Sequence, residues 1–299
     1  MNLIVGATGL LGGEVCYLLR TRGSRVRALV RPTSDRARVA RLRDRGVEIV
    51  EGDLKDRRSL EAACHGVDTV VTTASSTLSR QPGDTIETVD RQGQRDLIDA
   101  AEAAGVRHVV YVSFSPAALE FPLQSAKREV EARLQQGRMA YTILQPTCFD
   151  EVWLSPALGF DVAKATAQIY GAGHNRVSWI SAHDVARFAV AALDTPRALN
   201  AVIRLGGPEA LSPLDVVQLA ERITGRRFDV RHLPEDQLRA QYESASDPMA
   251  RTFAALMLYY AAGDVIDMAG PLRLFQVPPL RSVYEHLQSS VLQSSQGIG

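Results

Sequence analysis

The first half of the chain alternates short apolar runs with longer segments of helical periodicity. The apolar runs are rich in β-branched residues, and this alternation is typical of βα units that build a parallel sheet. Strands are predicted at residues 3–5, 25–30, 47–51, 69–72, 108–112 and 140–144. The runs are nearly continuous, which is expected when helices cover both faces of a parallel sheet.

Amphipathic segments between these strands predict helices, each followed by a glycine turn signal. The predicted helices cover residues 11–22, 35–45, 57–64, 86–104 and 123–136. Strands and helices together indicate the α/β fold class, with a doubly wound parallel sheet.

After Pro146 the regular alternation ends. Helices are predicted at residues 182–193, 214–224 and 247–262, and a strand at 201–205. Because no linker rich in serine and glycine separates the halves, we expect a smaller, mixed lobe built onto the first half, with residues 177–205 returning to the sheet. Residues 288–299 are rich in Ser, Gln and Gly, and a disordered tail is predicted there.

The composition is that of an ordinary globular protein, with 45% apolar residues and 34 basic side chains balancing 34 acidic ones. It argues against a disordered chain and against nucleic-acid binding through bulk charge. The longest apolar run, around residues 253–262, is too short to span a membrane, and the chain start lacks the basic region of a signal peptide.

Cysteine and histidine spacing gives little support for disulfides or metals. The three cysteines show no C-x-x-C spacing, which argues against a disulfide framework and a thiolate zinc site. The six histidines show no H-E-x-x-H spacing, so no metal site is predicted. Free cysteines suit a reducing compartment, and we expect a cytoplasmic protein.

A glycine-rich turn joins the first predicted strand to the first helix, in the pattern G-x-x-G-x-x-G. Glycines permit a tight turn, and the helix N-terminus offers free N–H groups and a partial positive charge. The turn therefore predicts a dinucleotide phosphate site; the other interpretation is a compact βα connection. The candidate binding residues are Gly6, Thr8, Gly9, Leu10, Leu11 and Gly12.

The end of the second strand indicates which dinucleotide is bound. Arg31 stands 19 residues after Gly12, where a site specific for NAD usually has an acidic residue. A guanidinium suits a 2′-phosphate, so NADP(H) is the predicted cofactor. The other interpretation is one more solvated arginine in an arginine-rich chain.

Further candidates follow the third and fourth strands, because ligands bind at the carboxyl ends of strands in open α/β sheets. They are Asp53, Leu54, Thr73 and Ala74. The Asp53 carboxylate would accept a hydrogen bond from the adenine amino group, or it would cap the next turn; the sequence leaves both open.

These segments together resemble the NmrA-like group of atypical short-chain dehydrogenases/reductases. The resemblance covers about residues 1–205 and rests on residues 6–12, 26–31, 52–54, 105–113, 141–146 and 181–186. It implies an NADP-binding Rossmann domain over residues 1–150 and a substrate-binding lobe over residues 151–287. Enzymes of the group include isoflavone-type and ether-cleaving reductases, quinone reductases and dye reductases, whereas other members are redox sensors or assembly factors.

The usual proton donor of short-chain dehydrogenases is absent, because none of the eight tyrosines has a lysine four positions on. Lys127 matches the lysine that isoflavone-type reductases retain. The resemblance implies that it positions the nicotinamide ribose or transfers a proton. Only three lysines occur in the chain, and arginine neither loses a proton nor offers a compact ammonium. The other interpretation is a solvent-facing lysine that pairs with Glu131.

Ser113 ends the fifth strand, where the superfamily often places a substrate-binding serine; Ser115 is a nearby alternative. Either hydroxyl would polarise a carbonyl, or it would satisfy the local backbone. Aromatic pocket walls are predicted from Phe114, Phe149, Trp153 and Trp179; the other interpretation is that these side chains belong to the core.

The leading prediction is an NADPH-dependent reductase that transfers hydride to a small apolar carbonyl, enone or quinone. Lys127 and Ser113 are its candidate catalytic residues. The alternative is a non-catalytic NADP(H)-binding redox sensor or assembly factor, since the usual tyrosine is missing. An epimerase or dehydratase normally needs that tyrosine and is disfavoured. The predicted partner is a small molecule, with neither nucleic acid nor a membrane span.

Overall fold

The computed structural model describes residues 1–79 and 81–296. Its main sheet is built from the strands β1 (Asn2–Val5), β2 (Val26–Val30), β3 (Glu48–Glu51), β4 (Thr69–Thr72), β5 (His108–Val112), β6 (Ala140–Pro146) and β9 (Ala201–Leu205). They lie in the order β3-β2-β1-β4-β5-β6-β9 with every pair parallel. The strand order reverses between β1 and β4, which is where open α/β sheets bind ligands.

Helices cover both faces of this sheet. They are α1 (Leu10–Thr21), α2 (Arg36–Asp44), α3 (Arg57–Cys64), α4 (Gln94–Ala103), α5 (Pro122–Gln136) and α7 (Ala182–Leu193). The short helix α6 (Asp150–Trp153) contacts a helix of the second half instead. Apolar side chains of α1, α2 and α7 form one buried cluster with the sheet, and those of α3, α4 and α5 form another. The predicted doubly wound α/β fold is confirmed.

The second half adds the smaller mixed lobe. A three-stranded sheet of order β10-β8-β7 contains β7 (Phe160–Asp161), β8 (Thr166–Tyr170) and β10 (Asp229–Leu233). The remaining helices are α8 (Pro213–Thr224), α9 (Glu235–Ser244), α10 (Pro248–Ala262), α11 (Ala269–Leu274) and α12 (Val283–Gln296). The lobe has its own core around Trp179, Val216 and Tyr260. The return of the chain to the main sheet is made by β9, which pairs with β6. A domain boundary at residue 150 stays a prediction.

The end of the chain differs from the predicted tail over residues 288–299. Helix α12 continues through Gln296, while residues 297–299 lie outside the described residues. Val283 and Leu287, one turn apart, are fully buried in the lobe core and hold the helix in place. Ser282 and Glu285 exchange hydrogen bonds at its start, a capping pattern that overrides the low-complexity composition.

Candidate functional site

The glycine turn between β1 and α1 is shaped for close backbone approach. Gly6 has φ +86°, and a Cβ there would lie 2.7 Å from Thr73 Oγ1. A Cβ on Gly12 would lie 2.6 Å from the Gly6 carbonyl carbon. Gly9 caps α1 with no side-chain hydrogen bond, so within the described residues no side chain caps the N–H groups of the first helical turn. A helix N-terminus of this kind fits a dinucleotide phosphate.

The remaining turn residues divide into exposed and buried positions. Thr8 is half-buried, Gly9 is exposed, and Leu10 is 54% exposed. Leu11 packs into the sheet core, so it offers a ligand only its backbone. Arg38 of α2 donates from Nη1 to the Thr8 carbonyl at 2.9 Å, a contact that the sequence did not indicate.

Arg31, the predicted 2′-phosphate ligand, lies at the end of β2 and is paired. Its Nη1 is 2.5 Å from Asp84 Oδ2, and Lys55 Nζ hydrogen-bonds to the other oxygen of the same carboxylate. Burial alone would raise the pKa of Asp84, but hydrogen bonds from Lys55 and Ser79 and the charge of Arg31 hold it below its usual value. Because the chain has only three lysines, Lys55 could have been singled out from the sequence as a candidate site residue. No feature of the sequence indicated Asp84.

The four other cofactor candidates differ in what their side chains do. Asp53 Oδ1 accepts from the Lys55 backbone N–H at 2.9 Å, the turn-capping alternative left open above. Leu54 is buried in the sheet core. Thr73 donates from Oγ1 to the Val5 carbonyl at 3.2 Å. Ala74 is half-buried beside it. Thr73 and Ala74 directly follow β4, so they lie where the strand order of the main sheet reverses.

Lys127 is 6% exposed on α5, so the interpretation as a solvent-facing lysine is wrong. Its Nζ lies 4.0 Å from Asp90 Oδ1 and 5.3 Å from the centroid of the Tyr111 ring. Burial lowers the pKa of Lys127, while the nearby carboxylates of Asp90 and Glu131 oppose this effect. Glu131 bonds elsewhere: it pairs with Arg128 and accepts from Gln145 Nε2 at 3.1 Å.

Asp90 was missed by sequence analysis and owes its position to an irregular helix. The predicted helix 86–104 begins as a π-helix (Ile86–Gly93) before α4. Asp90 Oδ2 accepts from the backbone N–H of Ser76 at 2.9 Å and from its hydroxyl at 2.5 Å. Oδ1, which faces Lys127, has no hydrogen-bond partner within residues 1–79 and 81–296. A signal was present, because Asp90 falls on the apolar face four positions after Ile86.

The two candidate serines have different surroundings. Ser113 is 5% exposed, and its hydroxyl lies 3.5 Å from Arg128 Nη1, a weak contact. Ser115 donates to Asp264 Oδ2 at 2.5 Å and accepts from Arg204 Nη2 at 2.8 Å. Because Ser115 is fully occupied, the geometry favours Ser113 as the available hydroxyl.

The aromatic candidates do not form one wall. Phe114 lies 5.7 Å from the Phe121 ring, and Phe149 packs against the core of the main sheet. Trp153 stacks on Tyr260 at 5.0 Å. These three side chains are half-buried and stay predicted substrate contacts. Trp179 is 1% exposed within the lobe core, so its prediction as a pocket wall is wrong.

The described residues contain no metal cluster, no disulfide and no membrane-spanning helix. No group of His, Cys, Asp and Glu there has the arrangement of a metal site. In the same part of the chain, Cys16, Cys64 and Cys148 are buried and free of disulfides. No described helix has the length and apolar character needed to cross a membrane.

Comparison with known proteins places these features in context. A model of the NmrA-like family matches residues 2–276. An NAD(P)H azoreductase of Xenophilus azovorans is 33% identical over 276 residues, which cover 89% of this chain and 91% of the relative. The photosystem II assembly factor Ycf39 of Trieres chinensis is 30% identical over 234 residues, which cover 78% of this chain and 72% of the assembly factor.

A solved structure agrees with the fold. The triphenylmethane reductase of Citrobacter sp., complexed with NADP(H), superposes with a TM-score of 0.79. The match covers 97% of this chain and 100% of that one at 20% identity. At this identity the likeness shows the Rossmann-type fold alone.

Proposed function

This chain belongs to the NmrA-like family, and on that premise we propose that it is an NADPH-dependent reductase of small apolar acceptors. The observation that carries the proposal is the buried Lys127, which faces an unsatisfied carboxylate oxygen of Asp90. Buried lysines are unusual unless paired, and a titratable group of this kind is a common catalytic device.

The residues present fit NADP(H). The glycine turn and the N-terminus of α1 would hold the pyrophosphate, and Arg31 would meet the 2′-phosphate. Lys127 would bind the nicotinamide ribose. When bound, NADPH supplies a hydride for the acceptor. The azoreductase relative uses NAD(P)H, which is compatible with this assignment.

Lys127 has two chemical tasks in this proposal. Its ammonium donates hydrogen bonds that fix the cofactor ribose, and it releases a proton toward the reduced acceptor. Burial lowers the lysine pKa and so eases that release. Asp90 keeps the ammonium in place, since its free oxygen lies 4.0 Å from Nζ and its other oxygen is held by Ser76.

Ser113 and half-buried aromatic side chains would bind the acceptor. The Ser113 hydroxyl would donate a hydrogen bond to the acceptor oxygen. Phe114, Phe149 and Trp153 would contact a flat ring. We therefore propose a carbonyl, enone or quinone-type acceptor.

The test is oxidation of NADPH by the purified protein with a panel of quinones, enones and azo dyes. Lys127→Ala is expected to lower kcat by about 100-fold or more, as loss of a general acid does. Lys164→Ala is the matched control, because Lys164 is 78% exposed and pairs with Asp161 at the surface. Equal activity of Lys127→Ala and wild type would overturn the assigned role.

A second candidate function is supported by the Ycf39 likeness, which extends over 72% of that assembly factor. In this alternative the protein binds NADP(H) without turnover and acts through a protein partner. Tight NADPH binding with no oxidation by any acceptor would favour it over the reductase.

A further inference from the structure

Four charged side chains meet beside the carboxyl ends of β2 and β3, where the adenosine half of the dinucleotide is proposed to bind. Arg31 Nη1 lies 2.5 Å from Asp84 Oδ2, and Lys55 Nζ bonds to Asp84 Oδ1. Lys55 Nζ is also 3.7 Å from Asp53 Oδ2. Two cations and two carboxylates therefore share one cluster, and Asp84 is the member that contacts both cations.

The two cationic side chains are more exposed to solvent than the Asp84 carboxylate that they share. The Asp84 side chain is 2% exposed, whereas those of Arg31 and Lys55 are 33% and 28% exposed. The cations therefore face solvent while the carboxylate lies behind them. A guanidinium has five N–H donors, and Asp84 uses one nitrogen of Arg31; within residues 1–79 and 81–296 the other nitrogens have no hydrogen-bond partner and can meet a ligand.

Charge balance decides what this cluster recognises. NADP(H) differs from NAD(H) only by a 2′-phosphate, which carries between one and two negative charges near neutral pH. Without the carboxylates that phosphate would meet two positive charges. With Asp84 and Asp53 ionised, the net charge of the cluster is zero. Much of its electrostatic attraction for the 2′-phosphate, the group that distinguishes the two cofactors, is then lost.

We propose that Asp84 is a specificity-determining residue, whose carboxylate neutralises Arg31 and Lys55 and so limits the preference for NADP(H) over NAD(H). The inference rests on the proposed dinucleotide site. Asp53 contributes less, because its nearest oxygen is 3.7 Å from Lys55 and its other oxygen caps a turn.

The test compares dissociation constants of NADP⁺ and NAD⁺, measured by calorimetric titration, for wild type and Asp84→Asn. The amide keeps a hydrogen-bond acceptor but removes the charge. We expect NADP⁺ to bind about tenfold more tightly relative to NAD⁺, with a steeper dependence on salt. Asp53→Asn is the matched control and should change the ratio less.

Lys55→Gln is a second variant that leaves Asp84 in place and removes one positive charge. It should shift the ratio in the opposite direction, so the inference stays testable if Asp84→Asn fails to fold. An unchanged ratio in Asp84→Asn with retained binding overturns the inference alone. A fall in the ratio also overturns it, since Asp84 would then serve to hold Arg31 for the phosphate. No binding of either nucleotide by wild type overturns the proposed function and this inference with it.

Discussion

Asp150 has a carboxyl group that is fully buried at the start of α6. Neither carboxyl oxygen has a hydrogen-bond partner within the described part of the chain. Burial raises the pKa of Asp150 well above its usual value, and the nearby charges of Glu151 and Asp184 raise it further. Since an isolated buried carboxylate is costly, the group is held in its neutral form.

This arrangement predicts a stability that falls as pH rises. The folded pKa of Asp150 lies above the unfolded value of about 3.9, so its stabilising contribution is complete below that pH and is lost as pH rises toward the folded pKa. Asp150→Asn cannot ionise. We expect its free energy of unfolding to exceed that of wild type increasingly between about pH 5 and pH 8, as measured by urea unfolding.

Asp267→Asn serves as the control, because Asp267 is exposed. It should follow the wild-type pH profile. Parallel profiles for wild type and Asp150→Asn would show that Asp150 ionises normally, which contradicts the account.

Single site residues could be predicted from the sequence where a rare residue type occurs within a recognisable motif. Lys127 is one of only three lysines, and its place in a family motif could be recognised. Asp84 could not be predicted, because its contacts with Arg31 and Lys55 depend on the path of a loop between β4 and the next helix. Trp179 was misassigned because apolar aromatic residues look alike in core and cleft.

At the level of elements, the glycine turn gives a sharp prediction. Gly12→Ala would place a Cβ 2.6 Å from the Gly6 carbonyl carbon and 2.9 Å from Thr73 Oγ1. The turn must open to admit it, so we expect loss of NADPH binding and a destabilisation of about 1–3 kcal/mol. Calorimetric titration and thermal unfolding measure the two effects.

Gly13→Ala is the matched control one residue along the same helix. Its Cβ would meet only the Ala7 carbonyl oxygen, at 3.4 Å, an ordinary contact. Alanine also gains up to about 1 kcal/mol over glycine inside a helix. Gly13→Ala should therefore keep NADPH binding and unfold at the wild-type temperature or above; equal behaviour of the two variants would argue against a shape requirement at Gly12.

Elements of the main sheet could be predicted because their apolar runs are continuous. Every strand from β1 to β6 was predicted within two residues of its observed bounds. The lobe strands were missed, since β10 is largely exposed and gives no such run. The π-helix was also missed, because the hydrophobic periodicity of this segment predicted an ordinary helix over residues 86–104.

At the scale of the whole molecule, a polar network ties the lobe to the main sheet. Asp264, which follows α10, accepts from Ser115 after β5 at 2.5 Å and from Arg204 in β9 at 2.6 Å. Tyr259 of α10 donates to the same carboxylate at 2.7 Å. The lobe is therefore fixed beside the carboxyl ends of β5, β6 and β9, where a lobe can shield an acceptor from water.

The central claim is that bound NADPH gives its hydride to an acceptor at the proposed site of Lys127 and Ser113. The most direct measurement is a single turnover: protein loaded with NADPH, or with NADPH deuterated at the transferred position, is mixed rapidly with a quinone while nicotinamide fluorescence is followed. We predict that wild type oxidises the bound NADPH in one phase that deuterium slows, and that Lys127→Ala binds NADPH but oxidises it far more slowly. Bound NADPH that stays reduced with every quinone, enone and azo acceptor would contradict the account and leave a nucleotide-binding protein without turnover.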